Sequence, residues 1–141
     1  ERAILLAPTG PERGAPHAVL DAGGLLAAQA LIRAMPVGEG VMGAILDLVR
    51  AARPGTSDAP GWLSEALVWG PGPRAAQALM LVTRARAALN GRFVPTLDDV
   101  AAMAAPVLRH RMALSFAARA RGDTTDAIIA RLMDDRLRAA A

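Results

Sequence analysis

Apolar residues recur along this chain at helical spacing, in blocks separated by clusters of Gly and Pro. Asp21 is a suitable N-cap for the first full block, whose stripe is Leu25, Ala28, Ile32 and Met35 before Pro36 ends it. A second helix is predicted from Glu39 to about Arg53 on Val41, Ile45, Leu48 and Ala52, widened by Met42 and Val49. Arg50 and Arg53 close it, where cations suit the negative end of the helix dipole. The longest helix is predicted from Pro73 to about Asn90, on Ala75, Ala78, Val82, Ala85 and Leu89. Pro fits its first position and Gly91 stops it. Thr96 and Asp99 form a capping box for the next, with Leu97, Val100, Ala104 and Val107 inward, and Pro106 should end or kink it. Thr124 or Thr125 caps the last, faced by Ile128, Ile129, Leu132, Met133 and Leu137, with Arg136 and Arg138 at its end. Trp62 to Val68 fits either a short helix or an extended piece, and Met112 to Arg121 shows no single period. Val and Ile never alternate between turn signals, which argues against a sheet. The expected fold is all-α, a small bundle of about five helices.

Composition narrows the picture. The 141 residues suit one domain with a real core. Hydrophobic residues make up 53% but aromatics only 3%, favouring helices packed closely through small side chains. The 16 basic residues are all arginine, against 13 acids, for a net charge of +3. They are scattered rather than grouped with Trp62, Trp69, Phe93 and Phe116, so no nucleic-acid partner is expected. Absence of cysteine excludes a disulfide scaffold or thiolate nucleophile. No apolar run approaches the ~20 residues of a membrane span, and no signal peptide is visible, so a cytoplasmic location is expected. A chain opening at Glu1 rather than Met reads as a fragment.

Several chemistries lack their residues. A phosphate-binding P-loop ends in Gly-Lys and Ser or Thr, and this chain has no lysine. The chain alone is therefore not expected to be an enzyme. Ser57, Ser64 and Ser115 lie in no nucleophile elbow. His17 sits in a Pro-rich loop and His110 between two arginines, so no metal site is expected. The acid pair Asp98-Asp99 is accounted for by the capping box, and Asp134-Asp135 reads as a solvated face.

The distinctive stretch is Val68-Trp69-Gly70-Pro71-Gly72-Pro73-Arg74-Ala75. Alternating Gly and Pro cannot continue a regular element; Gly supplies unusual φ and Pro fixes it, which makes a defined turn. Arg74 then falls at a helix N-terminus, whose partial positive charge disfavours a cation. It reads either as a solvated side chain lying off the first turn or as part of an anion site.

This segment resembles the sensor 2 motif, Gly-x-x-Pro-Arg-Ala, in the helical lid of MoxR-type AAA+ ATPases. Asn90 to Val100, followed by Ala105-Pro106-Val107-Leu108-Arg109-His110-Arg111, is similar in order and spacing to the segment that follows sensor 2 in that family. Ala22 to Arg53 also fits its first lid helices. Where the family more often has Gly-Ala-Ser-Pro-Arg, this chain has Pro71, which stiffens the turn, and Gly72, which loosens it. The resemblance implies an AAA+ lid at 21–141, with 1–20 as the end of the nucleotide-binding core and its linker, centred on Pro8 to Pro16. It implies that Arg74 senses the ATP phosphates, supported by Gly70, Pro71, Gly72 and Pro73, and that Arg109, His110 and Arg111 contact another subunit or the core. ATP and Mg would be bound mainly by that core, which also carries the hydrolytic residues. The implied partners are that core, further copies in a homo-oligomeric ring, and a von Willebrand A-domain client of a chaperone-like activity. The rival reading is a free-standing helical adaptor that binds protein or nucleic acid without nucleotide control.

Overall fold

The computed structural model describes residues 1–3 and 17–137; the expected linker at 8–16 and Arg138 lie outside these residues. Within residues 17–137, seven α-helices follow in chain order: α1 (Ala22–Ala34), α2 (Glu39–Ala51), α3 (Leu63–Ala66), α4 (Pro73–Leu89), α5 (Leu97–Leu108), α6 (Phe116–Ala120) and α7 (Thr125–Leu137). The short α3 and α6 have 4 and 5 residues, which leaves five long helices as the pattern predicts. The fold is all-α apart from two short strands, β1 (Leu67–Trp69) and β2 (Ala113–Leu114), paired antiparallel.

The helix ends follow local chemistry. Asp21 accepts the Gly24 N–H at 2.7 Å at the start of α1, and Thr124 accepts the Ala127 N–H at 3.1 Å at the start of α7. Pro73 opens α4, and Gly91, at φ 69, follows it in the left-handed conformation that ends helices. Pro106 lies inside α5 and costs it one backbone bond. The helix runs two residues further, then tightens into a 3-10 turn at Arg109–Arg111.

The core is built where α2, α4, α5 and α7 meet, with Leu48, Leu79, Leu108, Ile129 and Leu132 fully buried. Leu63 of α3 joins it. The faces of α2, α5 and α7 match the sequence pattern, the Leu137 side chain lying outside what is described, but two others differ. The buried row of α4 is Ala75, Leu79, Thr83 and Ala87, adjacent to the expected one; Val82 and Ala85 line a cleft of about 310 Å³ against α1, and Leu89 is exposed. α1 buries none of its residues fully, and Leu25, Leu26 and Leu31 are all exposed. Of its expected stripe, Leu25 and Ala28 are exposed, Ile32 is half-buried and only Met35, just past the helix, is buried, because the apolar residues surround the axis and α1 packs mainly on α4 alone.

The capping box at Thr96 carries more than a cap. Asp99 is 1% exposed. It accepts both Arg92 guanidinium nitrogens at 2.7 Å and the Thr96 N–H at 2.9 Å, with Arg86 Nε at 3.6 Å. The Arg92 hydrogen bonds hold its carboxyl down at about 2, against the opposing effect of burial. This carboxylate ties the end of α4 and the loop after it to the start of α5. On the far side, Arg131 of α7 lies 4.0 Å over the Trp62 ring, and Trp62 Nε1 donates to Asp135 at 3.3 Å.

Candidate anion site at the start of α4

β1 leads directly into the turn at 70–72 and then into α4. The turn is fixed from behind by the end of α2. A Cβ on Gly70 would stand 2.0 Å from the Ala52 carbonyl oxygen, so only glycine allows the two backbones this approach. Neither Gly70 nor Gly72 has positive φ, which corrects the expectation that they supply unusual dihedrals. Pro71 is fully buried, and its carbonyl accepts Arg53 Nε at 2.9 Å. Arg53 lies beyond the end of α2 and braces the turn, a role the helix-dipole reading of its sequence position did not suggest.

Pro73 presents the first turn of α4 to solvent with no side-chain cap at Gly72. Arg74 is exposed and has no hydrogen bond or ion pair among the described residues. It borders an open cavity of about 530 Å³ lined by Trp69, Gly72, Pro73, Arg74, Ala75 and Arg111. No lining residue is acidic.

Arg111 reaches this cavity because of the strand pair. Trp69 pairs with Ala113 and Leu67 with Leu114, so the chain leaving β1 runs beside the chain entering β2. Ser115 strengthens the junction: its N–H donates to Ala66 O at 2.9 Å and its hydroxyl to Glu65 O at 2.6 Å. Two segments far apart in sequence therefore form one wall.

The structure thus divides the Arg109-His110-Arg111 group. Arg109 turns away and pairs with Asp126 at 3.0 Å. His110 is exposed, and its Nε2 accepts from Arg111 Nη1, which also donates to the Val107 carbonyl. Arg111 alone of the three lines the cavity with Arg74. His17 is exposed as well, and no three His, Cys, Asp or Glu side chains gather into a metal-holding group among the described residues. The charged residues bordering the cavity are both arginines, which suit phosphate oxygens and do not suit Mg. Trp69, half exposed on the cavity wall, belongs to the distinctive stretch but was given no site role from the sequence.

A family model described as "AAA lid domain" matches residues 62–132, from just before α3 into α7. The span includes Gly70 to Arg74 and Arg109 to Arg111. The crystal structure of a protein from Cytophaga hutchinsonii, provisionally described as an ATPase, is similar at 27% identity and a TM-score of 0.74. The match covers 79% of this chain and 34% of that one, so this chain spans about a third of that protein. No curated protein matches the chain.

Proposed function

The chain belongs to the AAA lid domain family, and we propose that it is the sensor 2 lid of a MoxR-type AAA+ ATPase, with Arg74 as its nucleotide-sensing residue. The observation that carries this reading is Arg74 at the open start of α4, without a partner among the described residues, on a cavity wall without an acid. An arginine fork makes charge-assisted bonds to phosphate oxygens, and those bonds depend on whether the terminal phosphate is present. Gly70 against Ala52, buried Pro71 and the Arg53 bond give Arg74 a rigid base, so its gain or loss of a phosphate would move the whole lid.

On this reading 21–141 is the lid and 1–20 joins it to the core that holds ATP and Mg. The linker at 8–16 is the hinge. This chain contributes no lysine and so no P-loop; hydrolysis belongs to the core. Cores and lids would alternate around a homo-oligomeric ring in the cytoplasm, acting as a chaperone on a client such as a von Willebrand A-domain protein. No helix among the described residues is long and apolar enough to cross a membrane.

The test is ATP hydrolysis by this chain and by a longer protein carrying it next to its core. Turnover in the longer protein alone is the expected result. Turnover by this chain alone, or by neither, would overturn the proposal.

A further inference from the structure

We infer that Arg111 is a second anion-binding residue of the Arg74 cavity, and that the two arginines together grip a polyphosphate chain rather than a single phosphate. The inference rests on the reading of Arg74 as a phosphate contact and adds a partner that the family match does not assign.

Arg74, Arg111 and the uncapped start of α4 all border one cavity of about 530 Å³, whose wall is otherwise mainly apolar. Like charges sharing a cavity repel, and no carboxylate among its lining residues offsets them. Several other arginines among the described residues are charge-balanced, while Arg53, Arg84 and Arg136 donate to backbone carbonyls. Arg92 and Arg86 share Asp99, Arg109 pairs with Asp126, and Arg121 pairs with Asp123. Among the described residues Arg111 donates to the Val107 carbonyl and to His110 Nε2 and pairs with no carboxylate, so these contacts orient it without offsetting its charge. An oriented, unneutralised guanidinium is what an anion site requires.

The placement is built by backbone rather than by a flexible tail. The β1–β2 pair fixes where the 3-10 turn carrying Arg111 lies relative to the turn carrying Arg74. The two cations therefore stand on separate elements flanking one space. Separate elements favour a ligand with charge at two points, and the triphosphate tail of a nucleotide has that form.

The experiment is a titration of the 141-residue chain at low salt with inorganic phosphate and with inorganic tripolyphosphate. Binding is followed by Trp69 fluorescence in a Trp62→Phe background and checked by NMR of the unsubstituted chain. Far-UV circular dichroism confirms that each variant is folded. Tripolyphosphate should bind at least tenfold more tightly than phosphate. Arg74→Gln and Arg111→Gln should each weaken tripolyphosphate about tenfold. Arg111→Lys, which retains charge but loses the fork, should fall between wild type and Arg111→Gln, and Arg109→Gln should leave binding unchanged. Loss in Arg74→Gln with wild-type affinity in Arg111→Gln would overturn the role of Arg111 and leave the sensor reading standing. Wild-type affinity in Arg74→Gln, or no tripolyphosphate binding at millimolar concentration, would overturn both.

Discussion

Replacing Gly70 with alanine tests whether the turn before α4 is held by backbone contact. The added Cβ would meet the Ala52 oxygen at 2.0 Å, the Ala52 carbonyl carbon at 3.0 Å and the Arg53 Cα at 3.1 Å. All three are backbone atoms, so no side chain can rotate away. The turn and the end of α2 must separate, straining the Arg53–Pro71 bond of 2.9 Å and the burial of Pro71. Overpacking of this kind costs about 1–3 kcal/mol, and an obstacle made of backbone places Gly70→Ala near about 3 kcal/mol. For a chain of this size that lowers Tm by about 10 °C. Gly72→Ala is the internal control. Nothing lies within 4 Å of its Cβ position, and φ is −85. There the lower entropy of the unfolded chain offsets a weaker N-cap, for a net change within about 0.5 kcal/mol. Thermal melts by circular dichroism read both variants. Equal melting temperatures for Gly70→Ala and Gly72→Ala would refute the close-approach argument.

Other predictions concern the supports of the same frame. Asp99→Asn should lower stability by about 2 kcal/mol, measured by urea titration, because it removes the charged half of a bidentate pair and weakens the α5 cap. In the native chain the Asp99 carboxyl sits at about 2, below its ordinary 3.8, so folding favours its ionised form. Its contribution is therefore complete above about pH 4 and is lost as pH falls towards 2; with Arg92 partly in solvent, it amounts to about 1–2 kcal/mol. Asp99→Asn should flatten this acid limb, and an unchanged limb would place the titration elsewhere. Arg53→Gln should cost about 1 kcal/mol in the same urea assay by releasing the Pro71 carbonyl, with helical content unchanged.

Much of this architecture is written locally. Asp21, Pro73, Gly91, Thr96 and Thr124 each mark a helix end by interactions within four residues, and the structure uses each of them. The inward faces of α2, α5 and α7 are equally plain because polar residues bound them. α1 is different: Leu25, Leu26 and Leu31 surround its axis, and the stripe that periodicity picked there, beginning at Leu25, is largely exposed. The stretch from Trp62 to Val68 fits both a helix and a strand because it contains both, α3 and β1 in succession. β1 and β2 have 3 and 2 residues, too few to show alternation, and their pairing is a long-range fact. That pairing separates Arg111 from Arg109, which no local pattern distinguishes. Arg74 was legible because its motif is contiguous. Arg53 and Arg92 were not, because each lies in a loop and bonds a residue 18 or 7 positions away.

The most direct measurement is steady-state ATP turnover by a longer protein carrying this lid beside its core, with wild-type Arg74, Arg74→Ala and Arg109→Ala compared at equal helicity. Arg74→Ala should lower turnover at least tenfold, while Arg109→Ala, whose charge is already paired with Asp126, should stay near wild type. Wild-type turnover in a folded Arg74→Ala protein would contradict the assignment of nucleotide sensing to this turn.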